Sequence, residues 1–503
     1  MLARVKTAAL WGLEAFPVDC EVDVGPGLPG FSLVGLPDPS VREVRDRVWP
    51  ALRNAGLLPP ERRVTVNLAP AGRRKEGASI DLAVALGLLA ATEQIPPDRL
   101  SHWAAFGELS LDGSIRAVRG TLALAEAAWR GGSTHLLCAA GGAPEAALVE
   151  ALAVSPVTTL AEAVAWARGV DRPRVAPAAP DPDEGAADDL ADVRGQALAR
   201  RALEIAAAGG HHLLLIGPPG AGKSMLARRL PSILPPLTAE EALVVTRLHS
   251  ATGLRAPGRG LMRRRPFRAP HHSLSRAGLV GGGGPPRPGE LSLAHHGVLF
   301  LDEFAEYPRH LLDALREPLE SGVVWISRAS GHARFPARAL LVCAMNPCKC
   351  GWLGHPRRGC SCTPTDLQQY AGRVSGPVLD RLDLQVEVPA LTSDELLAAN
   401  VGEPSATVRA RVIAARERQE RRGALNADIA PSRLASCCGL DASGERLVRD
   451  AIDRGGVSAR GVHRALRVAR TIADLAGHER VEARALAEAL QYRAYEGRRF
   501  VVS

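Results

Sequence analysis

Residues 212–224 read HLLLIGPPGAGKS. An apolar run, His212–Ile216, precedes a glycine-rich turn, and MLARRL follows it with a helical pattern. That order is strand, loop, helix. The loop Gly217–Ser224 matches G-x-x-x-x-G-K-[ST], a pattern in which backbone N–H groups close around phosphate oxygens. The helix that starts there adds the positive end of its dipole. Gly217, Pro218, Pro219, Gly220, Ala221, Gly222, Lys223 and Ser224 are therefore expected to bind ATP. Lys223 is expected to reach the β and γ phosphates, and Ser224 to ligate Mg²⁺. A chance glycine-rich turn is the alternative, and the flanking strand and helix argue against it.

Four further segments fall where an ATPase needs them. GVLFLDEF (297–304) is an apolar strand ending in two carboxylates. Asp302 is expected to hold Mg²⁺ through water, and Glu303 to polarise the attacking water. A strand that simply ends in surface acids is the alternative. LLVCAMNP (340–347) is a second apolar strand, with Asn346 at its end to bond the attacking water or the γ phosphate. An Asn before Pro is otherwise a turn residue. SGPVLDRLDL (375–384) offers Arg381 to the phosphate of a neighbouring subunit; a surface ion pair with Asp380 or Asp383 is the alternative. SARGVHRAL (458–466) places Arg460 at the head of a helix, where a lid could bring it to the γ phosphate.

The chain around these motifs has 503 residues, which at about 150 per domain suggests about three domains. The reading is α/β. Residues 1–170 form a mixed unit with a strand at Arg63–Leu68 and helices at Asp81–Ala91 and Thr121–Arg130. Residues 171–190, rich in Pro, Ala and acids, have linker composition. Residues 191–390 open with a helix at Gln196–Ala208 and then alternate strands and helices, as a parallel sheet requires. Residues 391–503 turn helical, at Thr407–Arg421, Arg460–Ala476 and Val481–Tyr495. Apolar residues make up 46% but aromatics only 4%, so the cores must be built from Ala, Leu and Val. No signal peptide or membrane-spanning run is found, so a cytoplasmic protein with reduced thiols is expected, with no membrane partner.

The net charge of +8 permits a polyanion partner such as DNA, or merely an arginine-rich solvated surface. RPFRAPHHSLSRAGLVGGGGPPRPGE (265–290) reads as a mobile basic loop; Arg265 and Arg268 within it, and Arg264 just before it, are placed to meet backbone phosphates. His271 and His272 could ligate a metal, but no carboxylate stands close in sequence, and a structural role is favoured. VVWISRASGHARF (323–335) reads as a hairpin with Arg328 and Arg334 flanking a turn near Ser330-Gly331. Of nine cysteines, four cluster as Cys348-x-Cys350 and Cys360-x-Cys362. Four thiolates can hold structural Zn²⁺ tetrahedrally, with His355 as a further candidate. Four reduced thiols in a flexible loop are the alternative.

Together these motifs resemble AAA+ ATPases of the magnesium-chelatase type, and more closely the YifB/ComM family. The carrying segments are GLPGFSLVGLPD (27–38), VNLAPAGRRKEG (66–77), RPFRAPHHSLS (265–275), PGELSLAHHGVLFLDEF (288–304), AMNPCKCGWLG (344–354), SGPVLDRLDL (375–384) and VARTIADL (468–475). The resemblance implies an AAA+ P-loop core with a parallel sheet, a C-terminal helical lid and a ring-forming homo-hexamer. It makes Asn346 the sensor-1 residue, Arg381 the arginine finger and Arg460 the sensor-2 residue. The ComM branch is linked to DNA branch migration during natural transformation. The N-terminal unit resembles the Lon-protease-like fold, with Ser79 near the nucleophile position. GSIRAVRGTLALAEA (113–127), where the catalytic lysine should lie, contains none, so a non-proteolytic unit is expected, with Ser79 as a helix cap.

Three functions compete at this point. The leading one is a hexameric, ATP-driven DNA translocase or branch-migration helicase acting in DNA uptake and recombination. The second is a chelatase-type ATPase subunit that remodels a protein partner for metal insertion. The Lon-like unit, the cysteine cluster and the lack of an integrin-like domain argue against it. A Lon-like protease comes last, for want of the lysine.

Overall fold

The computed structural model describes residues 1–169, 188–256, 259–328, 331–392, 395, 402–453 and 457–493. The predicted linker therefore lies outside the described residues except at its C-terminal end. There the chain is already folded: Leu190 is buried, and Asp189 accepts hydrogen bonds from the N–H groups of Ala191 and Ser405.

The strand ahead of the phosphate loop, Leu213–Ile216, is buried throughout. It lies in a five-stranded sheet in the order Phe267–Arg268, Val298–Leu301, Leu340–Met345, Leu213–Ile216, Leu384–Glu387. Every pairing in that sheet is parallel. The three inner strands, Val298–Leu301, Leu340–Met345 and Leu213–Ile216, are apolar on both faces because both are covered. Side chains alternate across it. Leu213, Leu215, Phe300, Val342 and Val386 point into one core, shared with the helices Ala197–Gly209 and Lys223–Ile233 and with the C-terminal helices Ser405–Arg422, Ala459–Ala476 and Ala483–Gln491. Leu214, Ile216, Leu299, Leu301, Leu341 and Cys343 point into the other, with Leu248, Leu279 and Phe335. Small residues set the spacing: Ala202, Ala206, Ala207 and Ala208 let the first helix lie close on the sheet.

Asp81–Ala91 and Thr121–Arg130 appear with the predicted bounds, and three more helices have ends shifted by a residue or two; the helix predicted over Val481–Tyr495 runs only Ala483–Gln491, and residues 494 and 495 lie outside the described residues. The C-terminal region adds two that periodicity did not single out, Pro431–Cys438 and Ala442–Asp453. What joins this region to the sheet is a buried polar chain. His211 Nδ1 lies 3.3 Å from Asp383, and its Nε2 lies 2.7 Å from the hydroxyl of Thr471. Asn426 donates to Thr471 and to Asp474, and Asp474 is also paired with Arg422 and Arg470. Arg470 and Asp474 are both buried. These are the arginine, threonine and aspartate of VARTIADL.

The N-terminal unit is a seven-stranded mixed sheet in the order Gly30–Val34, Arg63–Ala69, Glu14–Gly25, Leu2–Trp11, Trp103–Phe106, His135–Ala139, Ala153–Val157. The helix Asp81–Ala91 is buried on every side, which its nearly all-apolar sequence requires. Its one charge, Asp81, is held by a two-pronged pair with Arg47 at 2.7 and 2.9 Å. Ser79 corrects the expectation of a helix cap. It lies within a 3₁₀ turn, Ala78–Ile80, and its hydroxyl points across to the carbonyl of Ala8, 3.4 Å away. The lysines of this unit are engaged elsewhere: Lys6 donates to Gly131, and Lys75 to the carbonyls of Gly35 and Pro70. The unit docks on the domain built around the five-stranded sheet through Glu126–Arg247 and through Glu145, which accepts from Ser250. No helix among the described residues is long and apolar enough to cross a membrane.

Two stability outcomes are expected. Asp474→Ala leaves Arg422 and Arg470 without their buried counter-charge, a change that costs about 3–5 kcal/mol. Urea denaturation of the variant measures it, and a loss under about 1 kcal/mol would show the pair to be dispensable. His295 is buried, and its Nδ1 accepts the N–H of Arg338 at 3.0 Å. Burial, aided by the charges of His296 and Arg338, pushes its pKa down to about 3. Below the free-imidazole pKa of about 6.5 the unfolded chain gains a proton that the folded chain refuses. Stability from this site therefore falls by up to about 1.4 kcal/mol per pH unit as the pH drops from about 6.5 towards 3. His295→Gln should flatten that acid limb, read as urea midpoint against pH.

Candidate nucleotide site

Parallel pairing sets Ile216 level with Met345 and Leu301 level with Cys343. The three strands thus release the phosphate loop, Asp302-Glu303 and Asn346 at one edge of the sheet. The loop is pinned there: the Gly217 N–H donates to the carbonyl of Met345 at 3.2 Å. Gly217 has to be glycine, because a Cβ would collide with the backbone carbonyl of Val388. Gln196 braces the loop from behind, donating to the carbonyls of Ala221 and Pro389.

Lys223 is buried, with its ammonium donating to the carbonyls of Gly217 at 2.6 Å and Pro218 at 2.9 Å and to the Asn346 side-chain oxygen at 3.2 Å. All three acceptors are neutral. Burial therefore pushes Lys223 below the ordinary lysine pKa, with the charge of Asp302 opposing. A cation in this setting is stabilised by an arriving anion, which phosphate supplies. The Ser224 hydroxyl donates to Asp302 at 2.6 Å, so a hydroxyl and a carboxylate converge as the hard oxygen pair that Mg²⁺ prefers. The residues present fit both ATP and Mg²⁺.

Glu303 follows with φ +50°, a left-handed backbone that costs a non-glycine residue about 1 kcal/mol. Its N–H donates to Asp302 at 2.9 Å, and its carbonyl accepts the N–H of Glu306 at 2.7 Å. Its carboxylate lies 3.0 Å from His272 Nδ1. Sequence reasoning saw no carboxylate beside the histidine pair, because 31 residues separate His272 from this partner and only the sheet brings them together. Tyr307 supports the segment carrying His272 by donating to the carbonyl of Pro270 at 2.8 Å. Tyr370, also unpredicted, donates to the carbonyl of Asn346.

The arginines divide. Arg381 reaches none of the phosphate-site residues in its own chain. It pairs with Glu320 and donates to the carbonyls of Arg316 and Pro377, so neither Asp380 nor Asp383 is its partner. Arg460 is exposed in the first turn of the helix Ala459–Ala476. One turn on, Arg464 contacts the core, pairing with Asp383 at 2.9 Å. Burial alone would raise the Asp383 carboxyl, but the His211 hydrogen bond and the charges of His211, Arg464 and His212 hold it well below the usual carboxylate range.

The basic segment differs most from expectation. Arg265 is committed to the carbonyls of Pro235, Pro236 and His296 and to Glu241, and Arg268 forms a two-pronged pair with Glu290. Neither is free to read phosphate. The glycine run folds back as a small hairpin, Gly281–Gly282 against Arg287–Pro288. The second hairpin is present as Val323–Arg328 and Gly331–Pro336, while the turn residues 329 and 330 lie outside the described residues. On it Trp325 is 61% exposed, with the Arg334 guanidinium over its ring. The four clustered cysteines converge, all their Sγ atoms lying within 4.8 Å of one another. His355 is not among them; it turns its ring towards Trp352 and accepts backbone N–H groups from Arg357 and Arg358.

Known families agree with this geometry. Three family models match the chain: magnesium chelatase, subunit ChlI, over residues 189–396; subunit ChlI of Mg-chelatase over 20–141; and magnesium chelatase, subunit ChlI C-terminal, over 402–493. The chain is 44% identical to the YifB protein of Salmonella typhimurium over 98% of its own length and 97% of the relative's. An uncharacterised protein of Mycobacterium tuberculosis is also 44% identical, over 99% of this chain and all of its own. The competence protein ComM of Haemophilus influenzae is 44% identical over 98% of this chain and 97% of its own. Matches of that extent, on a sheet that delivers Lys223, Ser224, Asp302 and Asn346 to one edge, place this chain in the YifB/ComM family of magnesium-chelatase-like AAA+ ATPases.

Proposed function

We propose that this protein is an ATP-driven DNA translocase that works as a homo-hexamer in the cytoplasm. The observation that carries the ATPase half is the Lys223–Asn346 and Ser224–Asp302 contacts within one sheet edge. In this reading the phosphate loop and Lys223 hold the phosphates, and Ser224 and Asp302 would hold Mg²⁺, which would supply charge neutralisation for the phosphates. Glu303, released from His272, takes a proton from the attacking water. Asn346 orients that water, the β–γ bridging P–O bond breaks, and ADP and phosphate leave. Arg381 of one subunit serves the γ phosphate bound by the next, and Arg460 serves it from the lid.

The DNA half rests on the likeness to a competence protein and on the net charge of +8. With Arg265 and Arg268 bound internally, the hairpin carrying Trp325 and Arg334 becomes the better candidate for touching DNA. An exposed indole beside a guanidinium can stack on a base, a contact of about 1–3 kcal/mol that tolerates any sequence. Branch migration is the form of translocation that the family resemblance favours. The N-terminal unit is read as a non-proteolytic relative of the Lon fold. Metal insertion through a protein partner would use the same ATPase core, and DNA stimulation separates the two.

ATPase rate should rise with single-stranded or forked DNA and fall back at higher salt. No stimulation and no salt-sensitive binding would sink the translocase reading. Lys223→Ala should abolish turnover, and Arg381→Ala should abolish it with ATP still bound. Mixing the two should restore activity, because some sites then combine an intact loop with an intact arginine. Trp325→Ala should lose DNA stimulation and keep the basal rate. A separate outcome concerns Ser79: the protein should not react with a fluorophosphonate probe, nor cleave casein on prolonged incubation with ATP. Labelling lost in Ser79→Ala would reinstate the protease.

A further inference from the structure

The segment between the strand Leu340–Met345 and the helix Pro364–Gly372 has almost no core of its own. From residue 348 to residue 363 only Cys348 and Gly351 are buried. Yet it is folded tightly, around four sulfurs. Cys348 Sγ lies 3.4 Å from Cys350 and 3.7 Å from Cys360, and Cys350 lies 3.6 Å from Cys360. These separations exceed a disulfide bond, about 2.05 Å, by far. They match the edge of a tetrahedron of thiolates around one ion, which Zn–S bonds of about 2.3 Å set at about 3.8 Å. Three backbone N–H groups point at the sulfurs at 3.4 Å: Cys350 towards Cys362, Leu353 towards Cys348, and Cys362 towards Cys360. Donors so placed stabilise thiolate charge and orient metal ligands.

We infer that Cys348, Cys350, Cys360 and Cys362 bind one structural Zn²⁺, and that this knuckle braces the phosphate loop and Asn346. The bracing follows from where the knuckle touches. Gly351, at φ +86°, rests on Pro219 of the phosphate loop, and a Cβ there would lie 2.7 Å from Pro219 Cδ and 3.9 Å from Asn346 Cγ. The far end of the knuckle is anchored too. Thr363 and Asp366 form a capping box at the start of the helix Pro364–Gly372, and Tyr370 of that helix donates to the Asn346 carbonyl at 3.2 Å. One ion therefore closes a loop whose two ends and middle all bear on the nucleotide site. Without it, Gly351 and Asn346 depend on a segment with nothing to pack on.

The metal claim is independent of the ATPase reading; the bracing claim rests on it. Full-length protein, purified without a metal-affinity step, should contain about one zinc per chain by elemental analysis. Cys348→Ser/Cys360→Ser should lose it. Cobalt exchanged into the wild-type protein should give sulfur-to-cobalt charge transfer and strong tetrahedral bands, a readout that stands even if the serine variant misfolds. No metal, iron in place of zinc, or zinc retained by the double variant would each overturn the site. Gly351→Ala should keep the zinc but lower ATPase turnover by about tenfold or more, because displacements of about 1 Å at a reacting centre cost on that order. Full zinc with undiminished turnover in Gly351→Ala would overturn the bracing alone. A wild-type protein with zinc and no ATPase would instead refute the proposed function and leave the metal site standing.

Discussion

Everything at the nucleotide site depends on the parallel pairing of the strand Leu213–Ile216 with Leu340–Met345, and of that strand with Val298–Leu301. Parallel strands end at the same edge, so residues far apart in sequence become neighbours without any loop reaching for them. Lys223 and Asn346 are 123 residues apart and in contact at 3.2 Å; Ser224 and Asp302 are 78 apart and in contact at 2.6 Å. Register fixes the rest. A shift of one residue would turn each buried strand over and point its terminal polar residue away from the loop. Full burial of all three strands prevents that shift, because either face would lose its core.

The C-terminal helices are tied to this sheet by polar contacts as much as by packing. His211 lies just before the phosphate-loop strand, Asp383 just before the neighbouring strand, and Thr471, Asn426 and Asp474 belong to the helical region. Apolar packing alone permits a lid to slide, whereas a buried chain of hydrogen bonds has one satisfied arrangement. Arg464 extends the chain to the surface through Asp383. A movement of the helix Ala459–Ala476 is therefore felt at the start of these two strands before it is felt at the phosphate loop.

The fold was legible in the sequence wherever a pattern was local. The strand-loop-helix of residues 212–224, the buried helix Asp81–Ala91 and the helix Thr121–Arg130 each carry their own period or punctuation. Site residues that sit at strand ends were legible for the same reason. Long-range partners were not. Nothing near His272 announces Glu303, nothing near Arg268 announces Glu290, and an arginine-rich stretch reads as a phosphate binder until its carboxylates are found. Ser79 misled differently: a serine before an apolar run is a cap by propensity, but the chain enters this helix through a 3₁₀ turn that takes the hydroxyl elsewhere. For the cysteines, spacing gave the donor set, while the convergence that favours a single ion came only from the folded loop.

Charge balance at the site bears on the proposal that subunits share it. Lys223 is the one cation in contact with the loop and Asn346 among the residues described above, and Asp302 and Glu303 stand beside it. ATP adds several negative charges, and Mg²⁺ offsets only part of them. Arginines elsewhere in the core are engaged with carboxylates of very different exposure. Glu241 and Glu290 are 24% and 21% exposed, and Asp383 only 8%, so withdrawing Arg265, Arg268 or Arg464 would strand a partly or fully buried anion. Such a loss is costly. Arg381 is paired with Glu320, whose side chain is 66% exposed. Water can take over a carboxylate like that at little cost, since exposed pairs contribute about 0–1 kcal/mol. Of these arginines, Arg381 is therefore the one that can exchange its partner for a phosphate most cheaply, and its position outside its own chain's site supports the proposal that it serves a phosphate bound by a neighbouring subunit.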